Sequence, residues 1–262
     1  MATPLKIATF NILNGGGDET RFRGVLDVIR RISPDVLVLQ ECLDWEDNGA
    51  RVQAVAEVVG SPGCIARSRA RGSGKTYHLG LFTRLPVHDL TVYNNPAFLG
   101  HSIAHLKLDW GGQSLNVLGA HFDSKNENLR FVEARYLRSL LDPKDFRAGH
   151  YVLAGDLNAL SRHDPYPADL EKLLRESMTT KYHFPPRFEV MEELAEFGWV
   201  DGLYLKPPAR WITAPRDRGG VEIDYRTDYL LFSPKLARRV GQVEVVPIDN
   251  ESDHYPVQAV LF

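Results

Sequence analysis

The chain is poor in cysteine and in long apolar runs, and it has no surplus of positive charge. Its 262 residues include two cysteines, Cys42 and Cys64, too few for a disulfide framework and without the spacing of a zinc site. Cys42 directly follows Glu41 and reads as a small semi-buried side chain rather than a reactive thiol. No apolar run approaches the length of a membrane span. The opening MATPLKIATF lacks a charged segment followed by a long apolar one, so no signal peptide is expected and a cytoplasmic location is. A formal net charge of −3 removes any bulk drive toward nucleic acid or acidic membranes, although a local basic rim stays compatible with it. No repeat, low-complexity tract or shift in composition divides the chain, which is therefore read as a single domain, residues 1–262. At 44% apolar residues it can build a sizeable core.

What the sequence does have is polar clusters at the edges of short apolar runs. Asn11 follows IATF, Gln40-Glu41 follow DVLVL, His121 follows LNVLGA, and Asp156 and Asn158 follow YVLAG. Asp228 opens DYLLF, and Asp253-His254 open YPVQAVLF. Short β-rich apolar runs predict buried strands, so four clusters close a strand and two open one. If the last two strands run antiparallel to the others, all the clusters meet on one edge. Carboxylates, carboxamides and two imidazoles gathered there suit oxygen-ligated metal chemistry on a phosphoester.

The periodicity predicts strands at Lys6–Phe10, Asp35–Gln40, Leu79–Thr83, Ser102–Leu108, Ser114–Ala120 and Tyr151–Ala154, and near 228–232, 242–247 and 256–261. Helices are expected at Thr20–Ile32, 51–59, Leu129–Leu141 and near 168–176 and 188–196, with Ser61–Thr76 as an exposed loop. Several strands succeed one another without a helix, which excludes a purely parallel doubly wound sheet. Two mixed sheets packed face to face, with helices outside, fit better.

Taken singly, each cluster has an ordinary alternative: a turn former at Asn11, a solvated strand end at Gln40-Glu41, a semi-buried imidazole at His121. Taken in order, TFNILN, LQE, GAHFDS, AGDLNA, YRTDYLLFS and SDHYPV resemble the endonuclease/exonuclease/phosphatase superfamily, the deoxyribonuclease I-like enzymes, over nearly the whole chain. The resemblance implies an α/β four-layer sandwich, dependence on Mg2+ or Mn2+, and hydrolysis of a phosphoester. It implies Glu41 as principal metal ligand, with Asn11 and Asp253 close to the metal. Asp156 then orients or deprotonates the attacking water, and Asn158 positions that water or holds the phosphate. His254 stands beside the scissile phosphate, Asp228 holds its imidazole, and His121 contacts phosphate oxygens.

Two positions depart from that pattern. Leu13 stands where some nuclease branches carry a second acidic ligand, which favours one tightly held metal over two. A tyrosine or acid often precedes the strand at Leu79–Thr83. Tyr77 and His78 both lie there, with Tyr77 preferred and a loop residue without a role as the alternative. GSGK at Gly72–Lys75 lacks the full phosphate-loop pattern. Arg67, Arg69, Arg71 and Lys75 could steer a phosphate-bearing substrate, the alternative being a solvated loop. Trp211, with Arg210, Arg216 and Arg218, is a candidate for stacking or phosphate contact. The substrate stays open among nucleic acid, a phosphorylated metabolite and a lipid headgroup, so a phosphodiesterase or nuclease stands beside a phosphomonoesterase. A catalytically silent binding module would be expected to have lost Glu41, Asp156 or His254, and all three are present. No stable protein partner is implied, and a monomer is expected.

Overall fold

The computed structural model describes residues 4–46, 49–69, 74–177, 181–218 and 221–262. In chain order its strands are β1 (Leu5–Asn11), β2 (Val36–Leu43), β3 (Gly63–Ala66), β4 (Tyr77–Thr83), β5 (Val87–Tyr93), β6 (Ile103–Trp110) and β7 (Gln113–His121). They continue with β8 (His150–Asp156), β9 (Val200–Asp201), β10 (Arg216–Arg218), β11 (Val221–Ile223), β12 (Asp228–Phe232), β13 (Val240–Val245) and β14 (Val257–Leu261). One six-stranded sheet has the order β13-β14-β1-β2-β4-β3 and the other β5-β6-β7-β8-β12-β9, while β10 and β11 pair separately.

The two sheets bury apolar faces against each other, as the alternation along each strand dictates. Leu5 and Ile7 of β1, Val36 and Val38 of β2, Val117 of β7, Val152 and Ala154 of β8, and Leu230 and Phe232 of β12 share one core cluster. The opposite face of the first sheet, with Ala8, Phe10, Leu37 and Leu39, packs on Val25 and Ile29 of α1 (Glu19–Ile32) and Val55 of α2 (Gly49–Val59). Asp18 caps α1 by accepting from the Arg21 amide at 2.9 Å, and Ser33 ends it in the left-handed region before Pro34. The outer face of the second sheet, with Leu118, Leu153 and Leu231, packs on α3 (Glu127–Ser139), α4 (Pro143–Ala148) and α6 (Glu189–Phe197); α5 (Leu170–Ser177) belongs to a smaller cluster. The result is the expected four-layer α/β sandwich.

Strand directions decide where the polar clusters go. β1 and β2 are parallel, as are β7 and β8, whereas β14 runs antiparallel to β1 and β12 antiparallel to β8. The ends of the first four and the starts of the last two therefore lie on one edge. Because side chains alternate with a period of two, Asn11 continues the inter-sheet face of Ile7, and Asp156 that of Val152 and Ala154. His121 continues the face of Val117, and Asp228 precedes Leu230 on theirs. The apolar layer between the sheets turns polar at its rim. Gly155 permits the close approach of β8 to β7, since a Cβ there would lie 1.9 Å from the Ala120 carbonyl oxygen.

The strands and helices predicted from periodicity are present to within a few residues. The exposed loop expected at Ser61–Thr76 is corrected in part: Gly63–Ala66 forms the edge strand β3, antiparallel to β4. β5 was not anticipated either; its exposed edge lacks a clean apolar alternation, with Val87, His88 and Asp89 all exposed.

Candidate active site

Asp156 is the hub. It is 1% exposed, at the end of β8. Its Oδ1 accepts from the Asn158 amide at 2.9 Å, and its Oδ2 accepts from Nδ2 of Asn11 at 3.0 Å. The Nε2 atoms of His121 and His254 each lie 3.8 Å from that same Oδ2. Burial alone would raise this carboxyl, but the charges of His254, His121 and Lys181 and the Asn158 amide override it and hold it below its ordinary range. The group is therefore a carboxylate at neutral pH.

His254 is fixed by Asp228. Its Nδ1 donates to Oδ2 of Asp228 at 2.8 Å, with both side chains buried. Thr213 holds the start of β12 by accepting from the amides of Thr227 and Asp228 at 3.1 Å each, and the Thr227 hydroxyl donates to the same Asp228 oxygen at 3.2 Å. The His254 amide donates to Ser252, whose hydroxyl donates to the Asn11 carbonyl at 2.6 Å, so the β14 entrance is tied to β1. Burial would lower the His254 imidazole, yet Asp228 and Asp156, helped by Asp253, raise it from 6.5 to about 9. Burial in turn pushes the Asp228 carboxyl up against the charge of His254.

The sign of the resulting pH effect is fixed. A folded-state value above the unfolded 6.5 gives stabilisation that is complete below 6.5 and lost as pH rises through about 9. In EDTA, the melting temperature of the wild type should fall across that window, and His254→Gln should flatten the fall. A wild-type profile that is level up to pH 9 and beyond would contradict a cationic His254.

His121 is held differently. It is 4% exposed, and neither ring nitrogen has a hydrogen-bond partner among the described residues. Its orientation comes from stacking on His101, with centroids 4.3 Å apart and planes within 8°. Tyr77 meets His101 edge-on at 6.1 Å, and the Tyr77 hydroxyl donates to Oδ1 of Asn14 at 3.0 Å. The structure thus separates Tyr77 from its neighbour. His78 is 1% exposed and turned the other way, with Nδ1 accepting from the Ser68 amide and Nε2 paired with Glu46.

Glu41 reaches the site through backbone strain. It adopts φ 59°, the left-handed region that non-glycine residues avoid, where the pairing of β2 with β4 shifts register between Leu39 and Cys42. Its Oε2 accepts from the Asn14 amide at 2.8 Å and its Oε1 faces Nδ2 of Asn11 at 3.4 Å. Gln40, its partner in the sequence cluster, is instead buried and bonded to the Thr9 hydroxyl. Asn11 gives its nitrogen to two carboxylates and its oxygen to the Leu13 amide at 3.1 Å. Asp253, half-exposed, lies 3.9 Å from Nε2 of His254, and the charges of Asp253 and Glu41 both act on the Arg21 guanidinium. Asn158 also has a left-handed φ, 49°, and its Nδ2 donates to the Phe122 carbonyl at 3.0 Å.

The remaining candidates sit at the margin. Arg69 is exposed beside Ser68, whose hydroxyl meets that of Ser102, the neighbour of His101. Trp211 lines a cavity of about 1090 Å3 with Arg210 and Tyr255, the residue after His254. Arg71, Gly72 and Ser73 lie outside the described residues, as do the side chains of Arg216 and Arg218. Reading the sequence missed His101 and Lys181. A histidine before a strand and a lysine in a loop carry no pattern of their own, and only tertiary contacts bring them to the edge.

Among the described residues, Asp156, Asp228 and His254 form a group whose ligand atoms lie within 4.8 Å of one another. Within this group His254 donates to Asp228, and Glu41 and Asp253 offer further hard oxygens that could hold a cation. No described helix is long and apolar enough to cross a membrane.

A family model, the endonuclease/exonuclease/phosphatase family, matches residues 8–254. A search of curated protein sequences finds no match. Among solved structures, an AP endonuclease from Archaeoglobus fulgidus superposes with a TM-score of 0.70 at 20% identity, covering 98% of this chain and 99% of that one. A 3'-5' exonuclease from Neisseria meningitidis gives 0.68 at 21% identity, covering 98% and 99%. A mannosyl-6-phosphatase from Bacteroides thetaiotaomicron gives 0.68 at 16% identity, covering 98% and 100%. At these identities the likeness is one of fold.

Proposed function

The chain belongs to the endonuclease/exonuclease/phosphatase family, and on that footing we propose that it is a phosphoester hydrolase dependent on Mg2+ or Mn2+. The observation that supports this most is the convergence on Oδ2 of Asp156. Two imidazole nitrogens stand 3.8 Å away, too far for a hydrogen bond, so one oxygen of water or of a phosphoryl group seated between them would be within reach of all three.

Asp156, ionised and oriented by Asn11 and Asn158, takes the proton of the attacking water. His254, kept cationic by Asp228, stabilises charge on the phosphoryl oxygens, and His121 does so from the other side. Tyr77, through Asn14, holds the loop against which Glu41 rests. Glu41 and Asp253 would hold the cation with Asn11 beside them, and the ion when bound supplies neutralising charge at the phosphoryl group. Arg69 and Trp211 contact the substrate beyond the scissile phosphate.

The neighbours named as exonuclease and as sugar phosphatase place diesters and monoesters in the same trial. Purified protein should therefore be screened with Mg2+ and Mn2+ against bis-p-nitrophenyl phosphate, abasic and nicked DNA, short RNA, phospholipids and sugar or inositol phosphates. No turnover on any of these would overturn the proposal. Glu41→Gln keeps the shape of the ligand and removes its charge. It should weaken Mg2+ binding in titration calorimetry by about 10-fold or more, with activity partly restored by excess Mn2+. Unchanged affinity would remove Glu41 from its role.

A further inference from the structure

The helix α3 carries ionisable side chains on the face that it buries. Glu127, Arg130 and Glu133 recur there at three-residue spacing, Arg130 and Glu133 completely buried, where an amphipathic helix places apolar residues. Buried charge is tolerated when it is hydrogen-bonded, and each of these groups is bonded to backbone outside its own helix. Glu127 accepts from the His183 amide at 2.9 Å, and Arg130 donates to the carbonyls of Asp123 and Lys181 at 3.0 and 2.7 Å. Glu133 spans two segments. Its Oε1 accepts from the Gly100 amide at 2.6 Å and its Oε2 from the Asp123 amide at 2.7 Å.

The position of those two amides gives Glu133 a task. The pairing of β6 with β7 ends at the rung Ile103–Ala120. His121 still runs beside Asp156 on the β8 side, but the segment that carries His101 lies beyond the last rung on the other side. There the carboxylate takes the place of the ladder, joining the residue before His101 to the second residue after His121. Phe98 stacks on Tyr136 of α3 with centroids 5.2 Å apart, so the same loop meets the helix twice. Gly100 suits this approach because it has no side chain: a Cβ would lie 3.0 Å from Oε1 of Glu133 and 3.1 Å from Oδ2 of Asp123. The spacing matters because no hydrogen bond among the described residues orients the His121 ring. Its stack on His101 is what keeps Nε2 turned toward Oδ2 of Asp156.

We propose that Glu133 is a positioning residue for His121. By fixing the distance of the 100–101 segment from the 121–123 turn, it holds the His101–His121 stack in register with Asp156. Fully buried, it acts only through that pair of rings. Its effect on rate rests on the phosphoester reading above, whereas its effect on the rings rests on the geometry alone.

Glu133→Gln tests the assignment, because one carboxamide oxygen can accept from one amide while its NH2 opposes the other donor. In the folded variant, kcat/KM on bis-p-nitrophenyl phosphate should fall about 10-fold or more, as small displacements of a positioned group bring about. In a His121→Ala background the same change should cost no more than about 2-fold, since the ring it positions is already gone. A general weakening of the structure would lower both backgrounds alike. That result, or an unchanged rate in folded Glu133→Gln, would overturn the assignment. If Glu133→Gln does not fold, Gly100→Ala crowds the same clamp from the loop and should show the same contrast between the two backgrounds. NMR of labelled histidine, assigned by the signals lost in His101→Ala and His121→Ala, reads the rings without turnover. The His101 and His121 signals should shift in the variant, while those of His150, at the opposite end of β8 from Asp156, stay in place. Unmoved His101 and His121 signals, or signals that move throughout, would count against the clamp. A wild type without turnover would remove the phosphoester reading and leave the NMR comparison to decide the clamp.

Discussion

Asp156→Asn should lower turnover on the best substrate by roughly 1,000-fold, within the range that a positioned general base contributes. The carboxylate faces Asn11, His121 and His254 together, and it is held ionised against its own burial. An amide cannot take the water's proton. It also cannot satisfy its neighbours, because its oxygen can accept from either the Asn158 amide or Nδ2 of Asn11, while its NH2 opposes the other donor. Some loss of melting temperature should therefore accompany the loss of rate, and circular dichroism must show that the variant folds. A folded Asp156→Asn that turns over within about 10-fold of the wild type would exclude Asp156 as the base.

His254→Ala should cost about 100-fold or more in kcat/KM, the usual consequence of losing one preorganised donor at the developing charge. Asp228→Asn should act through the same imidazole. The carboxamide offers less hold on Nδ1, and the imidazole loses the carboxylate that does most to keep it charged. If Asp228 works only by way of His254, the two changes are not independent, and the double variant should be little worse than His254→Ala. Losses that multiply would mean that Asp228 serves the reaction by another route, and the pairing would then be structural.

Much of this edge could be read from the sequence, for a definite reason. A strand that is buried on one face and ends at a site must change from apolar to polar in step with its period of two, as Ile7 to Asn11 and Val152 to Asp156 do. The sequence alone does not fix the direction of β12 and β14, and the pairing registers supply it. What could not be read depends on backbone exceptions and distant contacts. Glu41 arrives through a register shift and a left-handed residue, neither of which LQE encodes visibly. Asn11 has the right position, but which of its amide atoms faces the carboxylates is set by the Leu13 amide two residues on. His101 matters through the ring of His121, twenty residues on, and Lys181 through that of Tyr225, far away in sequence, as well as that of its neighbour Tyr182. β3 was hidden because four residues beginning with Gly-Cys, on an edge, show no alternation.

Hydrolysis of bis-p-nitrophenyl phosphate under reversible chelation tests the central claim most directly. The wild type would be assayed with Mg2+ or Mn2+, then with excess EDTA, then with the metal restored. The account predicts turnover that disappears on chelation and returns on restoration, and that Glu41→Gln and Asp156→Asn lack under all three conditions apart from the partial rescue of Glu41→Gln by excess Mn2+. Turnover that is indifferent to chelation, or that survives in folded Asp156→Asn at the wild-type rate, would show that the cluster around Asp156 is not the centre of the reaction.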